Sequence, residues 1–136
     1  MNVLVDTSVW SLALRKNNKS LEDNKIINEL KELIKELRVK IIGPIRQEIL
    51  SGIKDKILFE KLKDKLKYFP DDDISTEDYE NAAELYNLCR GKGIQGSHID
   101  FTICSIAIRK KYVIFTLDKD FENFSKIIGL KLYKLK

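Results

Sequence analysis

The sequence predicts a single α/β domain over residues 1–136, with a mostly parallel central sheet of about five strands flanked by helices. Three observations carry this. Short apolar runs at Val3-Leu4-Val5, Val39–Ile42 and Tyr112–Leu117 alternate with longer segments whose apolar residues recur every three or four positions. Strands separated by helices pair in parallel, because each crossover returns the chain to the same end of the sheet. Two of the runs end at a carboxylate, Asp6 and Asp118, and the carboxyl ends of parallel strands form the rim where ligands and chemistry collect.

Taken in order, Val3-Leu4-Val5 reads as a strand buried on both faces, and it delivers Asp6 to its end. Ser8 is placed as the N-cap of a short helix through Val9, Trp10, Leu12, Ala13 and Leu14, which the polar segment Lys16 to Ser20 breaks. Ile26, Ile27, Leu30, Leu33, Ile34 and Leu37 then share one face of a long amphipathic helix. Val39–Ile42 is the second strand, closed by Gly43-Pro44, with Pro44 suited to the first turn of a helix on Ile45, Ile49 and Leu50. Glu48, about one turn into that helix, either points back to the rim or lies in solvent beside Arg46 and Gln47.

Asp55 to Leu66 forms a charged helix on Ile57, Leu58, Leu62 and Leu66, leading to a short strand at Tyr68-Phe69. Pro70 and Asp71-Asp72-Asp73 end it in a solvated turn, since the alternating ligands and glycine of a calcium loop are missing. Ser75 to Arg90 carries a capping signature, Ser75 with Asp78, and a core face of Tyr79, Ala82, Ala83, Tyr86 and Cys89. Gly91, Gly93 and Gly96 make a flexible connector with room for a substrate-facing role, though its spacing is no P-loop. Residues 97–108 are apolar almost all round, which predicts a central buried helix headed by Asp100. That carboxylate either completes a cap with Ser97 or serves as a metal ligand. Tyr112–Leu117 repeats the first strand's design, and Leu130 to Leu135, with its alternating lysines, reads as an edge strand.

Composition narrows the function classes. The formal charge is +4, with lysine-rich stretches between Lys54 and Lys67 and again at Arg109, Lys110 and Lys111. A basic exterior around an acidic pocket suits a polyanionic substrate. No apolar run approaches the ~20 residues of a membrane span, and the amino terminus lacks a secretory pattern, so a cytoplasmic protein is expected. Cys89 and Cys104 have no metal-ligand spacing and read as reduced core thiols, and His98 alone cannot complete a zinc site.

Gathering Asp6, Glu48, Asp100 and Asp118 at one rim would set like charges together, each pair costing on the order of 4 kcal/mol at ~4 Å and an effective dielectric near 20. Such a cluster must protonate or bind divalent cations. All-oxygen ligands select Mg²⁺ or Mn²⁺, and a hydrated ion of that kind leaves positions for a phosphodiester oxygen and an activated water. Hydrolysis of phosphodiesters is the chemistry this pattern supports.

These residues resemble those of the PIN-domain ribonucleases, specifically the VapC-type toxins of prokaryotic toxin-antitoxin systems. The resemblance runs over the whole chain and rests on Val5-Asp6-Thr7-Ser8, on Glu48 in Gln47-Glu48-Ile49-Leu50-Ser51-Gly52, on Asp100 opening its helix, and on Thr116-Leu117-Asp118-Lys119-Asp120-Phe121. It implies a metal-dependent endoribonuclease cutting structured RNA such as tRNA or rRNA, acting as a homodimer and restrained by a cognate antitoxin. By position it implies Asp6 and Asp100 as principal Mg²⁺ or Mn²⁺ ligands, completed by Asp118 and Glu48. Ser8 and Thr116 would support the site through hydrogen bonds, with Asp120 as a further structural acidic position. Two rivals remain at this point: a PIN-like module that binds RNA or protein without cutting, and a phosphoacceptor receiver domain. The second normally pairs acidic residues after its first strand, where this chain has Asp6 alone followed by Thr7 and Ser8.

Overall fold

Four strands hydrogen-bond in the order β3-β2-β1-β4, every pair parallel. The computed structural model describes residues 1–14 and 18–135. The elements are β1 (Val3–Val5), α1 (Thr7–Leu14), α2 (Leu21–Lys35), β2 (Val39–Ile42), α3 (Gly43–Leu50), α4 (Lys56–Leu66), β3 (Asp71–Asp72), α5 (Thr76–Gly91), α6 (His98–Lys110), β4 (Val113–Phe115) and α7 (Asp120–Ser125). β1 lies at the centre, with Val3 opposite both Val39 and Val113, and Val5 opposite Phe115. From β1 the chain steps through β2 to β3 at one edge, and it later returns to β1's other side as β4. The strand order therefore reverses between β1 and β4, and the crevice beyond the carboxyl ends of those two strands is where an open parallel sheet holds ligands.

Burial explains why these segments became these elements. Val3, Leu4 and Val5 are fully buried, as are Ile41, Ile42 and Ile114, which is the pattern of strands covered on both faces. α6 is buried continuously from Phe101 to Ala107, including Thr102 and Ser105, and packs along α5. Ser20, Ser75 and Ser97 each begin a helix with a reciprocal capping box, their partners being Asp23, Asp78 and Asp100. Pro44 stands in the first turn of α3 as expected.

The structure corrects several sequence expectations. Ser8 is not a cap. α1 begins at Thr7, and the Asp6 carbonyl accepts from the N–H groups of Val9 and Trp10, which moves the Ser8 hydroxyl into the first turn. The break placed at Lys16 to Ser20 lies partly outside the described residues. α2 ends at Lys35, and Leu37 leaves its expected face because it adopts φ 58° and is exposed. Tyr68-Phe69 is not a strand; the edge strand is Asp71–Asp72, where a solvated turn was expected. Arg46 causes this shift. Its guanidinium binds the carbonyls of Leu66 and Phe69 and the Asp71 carboxylate, pinning the chain so that Asp71 and Asp72 pair with Ile41 and Ile42.

Ile57, assigned to the core face of α4, is exposed, while Leu62 and Leu66 are buried. On α5 Ala82 and Cys89 are buried as expected, but Asp78 joins them in place of Tyr79 and Ala83, which face solvent. The cause is an ion pair. Asp78 is fully buried and takes two hydrogen bonds from Arg109 in the last turn of α6, at 2.5 and 2.7 Å, turning α5 about its axis. The final segment makes a single bridge, Leu132 beside Ile114, where a fifth strand was expected. Gly96 is a packing requirement, since a Cβ there would stand 2.4 Å from Phe124 Cζ and 2.9 Å from Phe101 Cε2.

Candidate active site

Asp6 terminates β1 and is the buried anchor of the rim, 7% exposed. Its backbone N–H continues the sheet pairing onto the Phe115 carbonyl of β4, so Asp6 and the residues after Phe115 are held side by side. Its Oδ2 accepts from Thr116 Oγ1 at 2.8 Å and from Ser8 Oγ at 2.9 Å. Each hydroxyl in turn receives a backbone N–H: Ser8 from Leu117 at 3.0 Å, and Thr116 from Asp118 at 3.0 Å. A hydroxyl has one proton to give. With both protons directed to the same oxygen, Asp6 accepts through it, and its carboxylate is held in one orientation.

The same network orients the other residues of the rim. Asp118 follows Thr116, and its Oδ1 accepts the Asp120 N–H at 2.9 Å in the first turn of α7. Glu48, the two-way case in the sequence, is exposed and also belongs to the rim: Thr7, next to Asp6, donates to its Oε1 at 2.8 Å. Arg46 does not neutralise it, being engaged with Asp71 and two carbonyls. Asp100 proves to be both things the sequence allowed. It completes the Ser97 cap, Oδ2 accepting the Ser97 N–H at 3.1 Å, and it sits within the field of the other carboxylates. Burial raises its pKa, and the charges of Asp118 and Asp6 raise it further against the opposing pull of the Ser97 hydrogen bonds.

Among the described residues, none of the ion pairs involves Asp6, Glu48, Asp100 or Asp118. A buried anion with no cationic partner is costly, and like charges nearby add to the cost. The donor set is entirely oxygen, which fits Mg²⁺ or Mn²⁺. Among the described residues, no three His, Cys, Asp or Glu side chains already converge closely enough to chelate one ion. Their hydrogen bonds explain the spread: Asp6 is drawn to Ser8 and Thr116, Glu48 to Thr7, Asp100 to Ser97 and Asp118 to the Asp120 N–H. Binding a common cation therefore requires rotation of these side chains.

Sequence reasoning overlooked Thr7, which ties α3 to the β1 terminus through Glu48. The available signal was a hydroxyl residue directly after the strand-end aspartate. Among the described residues the Asp120 side chain makes no hydrogen bond or ion pair at the rim; its backbone N–H is what braces Asp118. Cys89 and Cys104 are buried free thiols whose pKa values burial raises, and His98 is exposed and stacked on Tyr86. Among the described residues no helix is long and apolar enough to cross a membrane.

Comparison with known proteins bears on this arrangement. The family model described as PIN domain matches residues 3–127. Two solved structures share the fold across nearly the whole chain. VapBC2 from Rickettsia felis, bound to a DNA fragment from its promoter, has a TM-score of 0.78 at 23% identity, covering 98% of this chain and 98% of that one. FitAcB from Neisseria gonorrhoeae has a TM-score of 0.71 at 17% identity, covering 97% and 96%. No curated protein sequence matches.

Proposed function

The chain belongs to the PIN domain family, and from that premise we propose that it is a Mg²⁺- or Mn²⁺-dependent endoribonuclease, the toxin of a VapBC-type toxin-antitoxin pair. The observation that carries this reading is the buried Asp6 at the switch point between β1 and β4, which forms no ion pair among the described residues, with the charges of Asp118 and Asp6 bearing on Asp100 beside it. A binding module has no use for clustered carboxylates facing a polyanion. A hydrolase does.

Asp6 and Asp100 would hold the divalent ion, with Asp118 and Glu48 completing the acidic site. When bound, the ion lowers the pKa of a water and offsets charge on the phosphodiester. The chain's own residues do the rest. Thr116 and Ser8 fix the Asp6 carboxylate, the Ser97 cap orients Asp100 and opposes the upward pull of burial on its pKa, and Thr7 steers Glu48. Lysines on the exterior attract RNA phosphates, so cleavage weakens as salt rises.

Two solved structures with this fold, VapBC2 and FitAcB, support a cognate antitoxin as partner. A homodimer acting in the cytoplasm on tRNA or rRNA completes the proposal. The test is cleavage of structured RNAs by the purified chain with Mg²⁺ or Mn²⁺, alongside Asp6→Asn and EDTA. Cutting that both treatments abolish is expected. Undiminished cutting in Asp6→Asn or in EDTA would refute metal hydrolysis, and RNA retention without cutting in every metal would leave the non-cleaving module.

A further inference from the structure

A small crevice opens between α5 and α6 at the same end of α6 that carries Asp100. It is lined by Tyr79, Ala82, Ala83, His98, Phe101 and Thr102 and has a volume of about 120 Å³. That is far below the ~300–1,000 Å³ of pockets for drug-sized ligands, and it suits one planar ring system. Two of the lining residues are aromatics in contact with solvent. Tyr79 is 55% exposed because the Asp78–Arg109 pair takes its place on the buried stripe of α5, and His98 is exposed in the first turn of α6. Small Ala82 and Ala83 keep the space between them open.

The imidazole is braced. It stacks on Tyr86 with ring centroids 4.9 Å apart and planes 15° from parallel. Tyr86 is in turn held edge-on by Phe101 and by Arg90, which donates to its hydroxyl at 2.7 Å and lies 5.6 Å from its ring centre. The Thr102 hydroxyl is spent on the His98 carbonyl at 2.9 Å, which holds this turn of α6. The Tyr79 hydroxyl, by contrast, makes no hydrogen bond among the described residues, so it is available to a ligand's polar edge. No carboxylate lines the crevice, and Arg90 reaches it only indirectly, through the Tyr86 ring on which His98 stacks.

We propose that this crevice holds one unpaired nucleobase of the RNA, stacked against Tyr79 and His98, next to the phosphodiester presented to Asp6 and Asp100. The inference rests on the RNA-cleaving reading above and adds a base subsite to it. Aromatic faces for stacking and a free hydroxyl for a base edge are components of single-stranded RNA recognition. The site would make the enzyme demand an extrahelical or single-stranded nucleotide at one position beside the cut.

The experiment uses the full chain and a short RNA carrying an abasic residue at each position around the cleavage site in turn. For the unmodified protein, removal of one particular base should lower kcat/KM about tenfold or more, within the range of one base–aromatic stack. Tyr79→Ala should lose the same factor on the intact RNA and show no further loss on the abasic one, and Tyr79→Phe should recover the stacking part. Binding is read separately with Asp6→Asn and an RNA carrying 2-aminopurine at that position, whose fluorescence should be quenched on binding and remain unquenched with the added Tyr79→Ala change. This separates the two readings: absent cleavage with base-specific quenching defeats the nuclease assignment alone. The proposal falls if no single base matters, if the abasic penalty persists in Tyr79→Ala, or if that substitution instead changes the oligomeric state by light scattering, which would make the crevice a contact between copies of this chain.

Discussion

Replacing Arg109 with Met tests the ion pair that sets the rotation of α5 and ties it to the helix bearing Asp100. Met keeps the length and apolar stem of the side chain and removes its charge and donors. The Asp78 side chain is 0% exposed and receives Arg109 Nε and Nη2 at 2.5 and 2.7 Å, with the Ser75 N–H at 2.9 Å as its other donor. Ser105 separately caps the Asp78 carbonyl at 2.8 Å. Removing one partner of a buried pair costs ~3–5 kcal/mol. Arg109 is 39% exposed, so water can partly replace it, and the expected loss is about 2–3 kcal/mol. For a chain of this length that is a fall in Tm of roughly 6–12 °C.

The pH dependence gives the same argument a second reading. Arg109 first, with Ser75 assisting against the effect of burial, lowers the Asp78 pKa to about 2. A depressed carboxylate pKa contributes stability that is present above the unfolded value near ~3.9 and is lost as pH falls toward the folded one. The gap between the wild type and Arg109→Met should therefore be full at pH 7, narrow below about pH 5, and close toward pH 2. Urea unfolding at pH 7, 5 and 3 measures it. Adding Asp78→Asn to Arg109→Met should restore part of the loss by removing the orphaned charge. A variant within ~0.5 kcal/mol of wild type at pH 7, or a gap unchanged at pH 3, would refute the reasoning.

Asp100→Asn should stabilise the metal-free protein by about 1 kcal/mol while abolishing cleavage, because the amide can still cap α6 without facing Asp118 and Asp6 as a like charge. Since the Asp100 pKa is raised, that advantage is present at neutral pH and disappears as pH falls through the carboxylate range; Tm with and without Mg²⁺ reads it, and only the wild type should gain from the ion. Thr116→Val should lower kcat by roughly 10–100-fold by freeing the Asp6 carboxylate, with KM little changed and Thr116→Ser restoring activity. Gly96→Ala should cost about 1–3 kcal/mol in urea, since its methyl group would have to displace the Phe124 and Phe101 rings. A neutral Gly96→Ala would mean those rings yield freely.

Much of the architecture was legible because it is written locally. Apolar runs leading to an aspartate, Val3–Val5 before Asp6 and Tyr112–Leu117 before Asp118, marked β1 and β4, serine–aspartate pairs three apart marked the starts of α5 and α6, and Pro44 marked α3. The local signals failed where a distant partner prevailed. Arg46 drew the edge strand past Pro70 to Asp71–Asp72 from 25 positions away, and Arg109 turned the Tyr79 face of α5 outward from 31. Periodicity treats Asp78 as polar and therefore exposed; a bidentate guanidinium makes it a core residue.

By itself the sequence determined the alternation of strands and helices, the parallel sheet and the identity of the acidic residues, because capping, periodicity and strand burial depend on neighbours a few positions apart. Only the tertiary structure decided which oxygen of Asp6 is held, that Glu48 is tied to the rim through Thr7, and that Asp100 feels Asp6 and Asp118. Asp6 and Thr116 are 110 positions apart, and no local propensity encodes the hydrogen bond between them. It exists because β1 and β4 pair in register, Val5 opposite Phe115, so that the residues following each strand emerge together at the one place where the sheet reverses its order.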